Sequence, residues 1–173
     1  RSGEVLAMVS APGFDPDMLV GSQRGSYYKT LVSDSDKPLF NRAVKATYRP
    51  GSIWKMVQGL VALQGGQIRP TTRFSCDRNI IGWHGPHTQD DLRNAVIHSC
   101  NPYFYKVMQR VVNAGKGDTK FERAALGLDD WRKRVMAFGF GTNLGGRLPG
   151  TSTGSVPDSD YYDGIYGRRR WDF

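Results

Sequence analysis

Pro50 and Gly51 stand immediately before the run Ser52-Ile53-Trp54-Lys55-Met56-Val57-Gln58-Gly59-Leu60-Val61-Ala62-Leu63, in which positions 53, 56, 57, 60, 61 and 63 are apolar. That three-and-four spacing predicts a helix with one apolar face, opened by Pro50 and Ser52 and closed by Gly65-Gly66. The chain has 173 residues, enough for one domain with a core to receive that face. With 39% apolar residues, the composition suits a folded α/β or α+β unit. The 21 glycines and 9 prolines fall mostly between periodic stretches, which predicts many irregular loops.

Around this helix the pattern is readable in pieces. Residues 3–10 form an apolar, β-prone run ending at Ala11-Pro12-Gly13, which predicts a buried strand. A turn follows at Phe14–Asp17, then a short amphipathic helix over 22–33 and a loop over 34–51. An extended stretch at 73–88 leads into a helix over about 89–99, a break at Ser99-Cys100-Asn101-Pro102, and another helix over about 102–113. Asp129 or Asp130 is placed to cap a helix running to Phe138. From Gly139 onward the reading is mostly loop. No internal repeat or linker is read, no apolar run approaches the roughly 20 residues of a membrane span, and the polar start Arg1-Ser2-Gly3-Glu4 is not expected to be a signal peptide.

The net charge of +8 raises the question of nucleic acid. The cations are scattered, however, and the runs Arg132-Lys133-Arg134 and Arg168-Arg169-Arg170 have no interleaved aromatics. No nucleic-acid partner is expected.

Chemistry concentrates at two places. Ser52 and Lys55 are three residues apart on a helix, so the amine can lie beside the hydroxyl. A serine hydroxyl becomes a competent nucleophile once a base takes its proton, and a lysine can do this when its surroundings lower its pKa. The positive end of the helix dipole favours both that shift and a developing oxyanion. Four letters alone are also met as a helix cap followed by a solvated lysine. Ser99-Cys100-Asn101 adds a hydroxyl and a carboxamide in a helix break, where both can face one cleft, or where Ser99 ends one helix and Asn101 caps the next. Taken together and in this order, Ser-x-x-Lys opening an apolar helix and Ser-x-Asn between two helices form the motif set of penicillin-binding proteins and serine β-lactamases.

The resemblance extends well beyond the motifs. The run from Gly3 to Pro16, the segments Asn41-Arg42-Ala43-Val44 and Tyr48–Met56, Ser99–Tyr105, Phe138-Gly139-Phe140-Gly141 and Leu148-Pro149-Gly150 are together similar to the transpeptidase domain of class B penicillin-binding proteins, the elongation-specific members in particular. The resemblance implies a partial penicillin-binding/serine β-lactamase-like fold of the α/β (α+β) class, helix-rich with an incomplete antiparallel sheet, as one domain over 1–173. It implies Ser52 as nucleophile, Lys55 as general base, Ser99 as proton relay and Asn101 as the substrate-positioning amide. The reaction implied is D,D-transpeptidation of peptidoglycan stem peptides ending in D-Ala-D-Ala, with β-lactams as acylating mimics and no cofactor for catalysis. It further implies a glycan-polymerising partner, elongation-complex proteins, and a parent protein anchored in the inner membrane and facing the periplasm. The family's third motif, Lys-Thr/Ser-Gly, is not in this sequence, because no Lys is followed by Thr-Gly or Ser-Gly. The expectation is therefore the first part of the domain, without the third motif, pedestal domain and anchor, acylating slowly if at all. A β-lactamase or β-lactam sensor would share Ser52 and Lys55 but not the Gly3–Pro16 and Tyr103–Tyr105 signatures.

Cys76, His84, His87 and Cys100 fall within one 25-residue window. Two thiolates and two imidazoles complete a tetrahedral shell, so these residues are the candidate ligands of a structural zinc. Relatives with a comparable site use carboxylates at some positions, which lets Asp77 replace His84 or Cys76. The competing reading is a Cys76–Cys100 disulfide with surface histidines. A zinc-stabilised module without chemistry is the alternative function from a different class.

Overall fold

The computed structural model of the chain describes all residues except 1, 3, 78, 82–87 and 144–147. Its contacts divide into two compact units, Arg1–Tyr48 with Asn143–Thr153, and Arg49–Thr142 with Gly154–Phe173.

In the first unit, Asp15 caps a 3₁₀ turn over Pro16–Leu19 by accepting from the Asp17 N–H. Helix α1 spans Arg24–Ser33 and buries Leu31. A short helix α2, Arg42–Lys45, interrupts the loop expected over 34–51; Asn41 starts it by accepting from the Ala43 N–H. The Ser10 hydroxyl accepts from the Arg42 N–H at 2.9 Å and donates to the Phe40 carbonyl at 3.3 Å. The strand expected over 3–10 does not form. Its described residues join no ladder, and Val5, Leu6 and Val9 are 69%, 95% and 83% exposed. A strand is completed by a neighbour that takes up its backbone hydrogen bonds. Among the described residues, β-pairing is confined to one short ribbon elsewhere in the chain.

That ribbon belongs to the second unit. Its strands β1, Phe74–Ser75, and β2, Gln89–Asp90, pair antiparallel with Phe74 opposite Asp90. The helices are α3 over Trp54–Gln64, α4 over Leu92–Ile97, α5 over Asn101–Val112, α6 over Lys120–Met136 and α7 over Ser159–Tyr166. Helix α5 lies at the centre. Tyr103, Phe104, Val107 and Val111 recur at helical spacing and are buried against α3 through Val61 and against α6 through Ala124, Leu128 and Val135.

Three expectations in this unit need correction. The helix near 130 is capped not at Asp129 or Asp130 but at Thr119, in a capping box in which the Thr119 side chain accepts from the Glu122 N–H and Glu122 accepts from the Thr119 N–H. Residues 89–90 pair as β2, so α4 starts only after Asp91, whose carboxylate accepts from the Asn94 N–H at 2.9 Å. The segment after Gly139 holds helix α7, capped by Asp158 accepting from the Tyr161 N–H.

Helices α5 and α6 touch at Gly127, where an added Cβ would run into the carbonyl oxygen of Val112. A backbone oxygen in a packed helix pair cannot move aside as a flexible side chain does. Gly127→Ala is expected to cost about 3 kcal/mol, read as a lowered midpoint in denaturant unfolding. Gly25→Ala, at a helical position with nothing within 4 Å of the new Cβ, is expected to be neutral or slightly stabilising.

Candidate active site

Pro50 and Gly51 set up the entrance to α3. Gly51 takes φ +61°, a left-handed conformation that glycine adopts without a Cβ penalty. It opens a 3₁₀ turn, Gly51–Ile53, that runs directly into α3. Ser52 therefore sits in a tight turn just ahead of the α-helix rather than as its first residue. Lys55 follows three residues on, in the first turn of α3, which puts it on the same side as Ser52.

The chain direction of α3 is fixed from behind. The Trp54 ring meets Trp131 edge-on at 6.2 Å and Phe140 at 5.0 Å. One turn on, the buried Gln58 accepts from the Trp131 indole N–H at 2.8 Å and donates to the Met108 sulfur at 3.4 Å. These contacts tie α3 to α5 and α6 on the side away from Ser52. The sequence gives no sign of Gln58, because it lies off the stripe of 53, 56, 57, 60 and 63 and is a polar residue buried on the other side of the helix.

The second motif meets the first. Lys55 Nζ donates to the Ser99 hydroxyl at 2.7 Å, to the Ser99 carbonyl at 2.6 Å and to the Ser52 hydroxyl at 3.2 Å. The two hydroxyls lie 3.0 Å apart. Three groups from segments 44 to 47 residues apart thus close a triangle. Burial lowers the Lys55 pKa from its usual value, which enlarges the neutral fraction that can accept a proton.

Ser99 reaches this position through the way α4 ends. Its φ is +53°. The Cys100 N–H bonds to the Ala95 carbonyl at 2.9 Å and the Ser99 N–H to the Val96 carbonyl at 3.2 Å, the paired bonds of a Schellman ending with Ser99 at the position usually held by glycine. A residue with a Cβ pays roughly 1–2 kcal/mol there. The conformation turns both the hydroxyl and the carbonyl of one residue toward Lys55. Asn101 opens α5 and is exposed beside Ser99.

Cys100, between the two motif residues, is buried and joined to Cys76 in a disulfide, with their Cα atoms 6.4 Å apart. Its sulfur also caps α5 by accepting from the Tyr103 N–H at 3.4 Å. The structure thus adopts the disulfide, the competing reading of the two cysteines. Disulfide sulfurs carry no thiolate, so in this state Cys76 and Cys100 are not the zinc ligands expected of them. His84 and His87 lie outside the described residues. The acidic neighbour of the pair is Asp90 rather than Asp77: one ligand atom each of Cys76, Asp90 and Cys100 lie within 4.8 Å of one another, and all three residues are buried. Asp90 also holds His98, whose Nδ1 lies 3.1 and 3.2 Å from its two carboxylate oxygens.

Residues 1–168 match the family profile described as the penicillin binding protein transpeptidase domain. The chain belongs to that family. It is 29% identical over 171 residues to the peptidoglycan D,D-transpeptidase MrdA of Acinetobacter baumannii, a match covering 93% of this chain and 23% of the relative. To the peptidoglycan D,D-transpeptidase PbpA of Mycolicibacterium smegmatis it is 33% identical over 143 residues, covering 74% and 28%. The chain therefore spans about a quarter of the length of these relatives. Among solved structures, PBP2 of Pseudomonas aeruginosa in complex with WCK 5153 superposes with a TM-score of 0.74 at 26% identity, covering 99% of this chain and 37% of that one. The imipenem acyl-enzyme complex of penicillin-binding protein A from M. tuberculosis superposes with a TM-score of 0.60 at 26% identity, covering 82% and 32%. The MrdA and PBP2 relatives cover nearly the whole chain, and the helix-rich fold with its small antiparallel sheet is that of transpeptidase domains. Among the described residues, no helix is long and apolar enough to cross a membrane.

Proposed function

We propose that this chain is the nucleophile-bearing first part of a peptidoglycan D,D-transpeptidase domain, acting through an acyl-enzyme on Ser52. The observation that carries the reading is the closed triangle of Ser52 Oγ, Lys55 Nζ and Ser99 Oγ at 3.2, 2.7 and 3.0 Å. Ser52 attacks the carbonyl of the penultimate D-alanine of a stem peptide. Lys55 takes the hydroxyl proton, directly or through Ser99. Ser99 hands a proton to the nitrogen of the departing D-alanine, and Asn101 holds the substrate amide. The amine of a second stem then attacks the acyl-enzyme and frees Ser52. A β-lactam follows the same first step, its ring nitrogen being the leaving group.

All the groups used are side chains of this chain, so the reading needs no cofactor. A structural zinc belongs to the reduced protein only, where the thiolates of Cys76 and Cys100, with Asp90 and the expected His84 and His87, would supply the donors. An inner-membrane anchor and a periplasmic site fit both the family and a disulfide, which persists in oxidising compartments. A glycan-polymerising partner belongs to the same reading.

The test is to treat the full-length protein with a penicillin, digest it and map the adduct by mass spectrometry. The expected result is one penicilloyl group on the peptide bearing Ser52. An adduct elsewhere, or none, overturns the assignment.

A further inference from the structure

We infer that Asp90 and His98 are positioning residues for this chemistry: with the Cys76–Cys100 disulfide they pin the two neighbours of Ser99 to the β1–β2 ribbon and hold Ser99 in the conformation that faces Lys55. The inference rests on the functional reading above.

Two of the three contacts of Lys55 Nζ go to Ser99, one to its hydroxyl and one to its carbonyl. Both depend on the left-handed backbone of Ser99, φ +53°. An L-residue disfavours that region, so a free helix end would let Ser99 relax and swing its carbonyl and hydroxyl off the amine. Something must over-determine the conformation.

The flanking residues supply it. Cys100, on one side, is bonded to Cys76, the residue immediately after β1. His98, on the other, is held by Asp90 of β2. Both anchors belong to the same ribbon: Asp90 stands opposite Phe74, and the Cys76 N–H bonds to the Thr88 carbonyl at 3.1 Å. Ser99 is therefore the middle residue of a three-residue span fastened at each end to the same ribbon. In this contact imidazole Nδ1 is the donor and the Asp90 carboxylate the acceptor. With Asp90 2% exposed, that bond is made in a shielded place. His98 itself is 41% exposed. Its side chain lies largely outside the core, and the contact with Asp90 links it to β2.

The test compares His98→Ala and His98→Asn in the full-length protein, with penicillin acylation resolved into a binding constant and a chemical rate constant. An asparagine places its amide N–H close to the position of imidazole Nδ1–H and can still bond Asp90; alanine cannot. His98→Ala is expected to lower the chemical rate constant by about 10- to 100-fold, with binding unchanged and the thermal midpoint held. His98→Asn is expected to recover most of the rate. Wild-type chemistry in His98→Ala, or equal losses in both variants, overturns the inference. A wild-type protein that does not acylate at Ser52 removes the functional reading, and this one with it.

Discussion

Lys55→Arg is expected to lower the rate of Ser52 acylation by about 10³-fold or more, with the fold intact. Arginine keeps the positive charge and can still donate to Ser52 and Ser99, so a purely electrostatic Lys55 would survive the change. A guanidinium stays protonated at every working pH and cannot take a proton from a hydroxyl. Lysine can, because its surroundings shift it: burial lowers its pKa from the usual value of 10.5. The sign follows directly. Acylation that depends on neutral Lys55 rises with pH through the folded pKa, so that limb is expected below the ordinary lysine range in the wild type and absent in the variant. Stopped-flow acylation across pH measures both. An arginine variant that retains the wild-type rate and limb would show that Lys55 acts only as a charge.

Ser99 offers a second large effect, in which rate and stability part company. Ser99→Ala and Ser99→Gly both delete the hydroxyl that lies 2.7 Å from Lys55 and 3.0 Å from Ser52. Each is expected to slow acylation by about 10²-fold. Their stabilities should differ, because only glycine is at ease at φ +53°. Ser99→Gly is expected to be more stable than Ser99→Ala by about 1 kcal/mol, read from denaturant midpoints. Equal midpoints would mean that the backbone at Ser99 relaxes freely, and would argue against any device that holds it.

How much of this was legible beforehand depended on whether a residue's partner was near in sequence. Helix α3 was, since its helical spacing and the Pro50-Gly51 entrance are local, but its buried face was not: Gln58, Gly59, Val61 and Ala62 face the core, while Ile53, Met56 and Leu60 of the expected apolar face are 67%, 57% and 52% exposed. The pairing of Ser52 with Lys55 was legible too, because three residues of helical turn decide it. Ser99 and Asn101 could be tied to them by resemblance, but the meeting of Ser99 with Lys55 at 2.7 Å spans 44 residues and needed the fold. The strand expected over 3–10 failed for the same reason in reverse: an apolar run states a preference, and pairing is settled elsewhere in the chain. Thr119 and Glu122 carried a local capping signal ahead of α6, yet Asp129 and Asp130 drew the boundary to the wrong place. For Cys76 and Cys100, the same residue types serve disulfide and zinc alike. Only geometry, with Cα atoms 6.4 Å apart, brings the sulfurs together. Nothing in the sequence distinguishes His98 from a surface histidine, because Asp90 reaches it from β2, where a helix was expected over 89–99.

Trp54 gives the protein a built-in optical signal. Its indole lies two residues from Ser52 along the chain and meets Trp131 and Phe140 edge-on at 6.2 and 5.0 Å. Indole emission responds to nearby charge and to the packing of adjacent rings. A covalent group arriving on Ser52 changes the first, and any adjustment of the α3 entrance changes the second. The acylation proposed for Ser52 is therefore expected to be visible with unlabelled protein and an unlabelled antibiotic, in the intrinsic fluorescence of the tryptophans packed around α3.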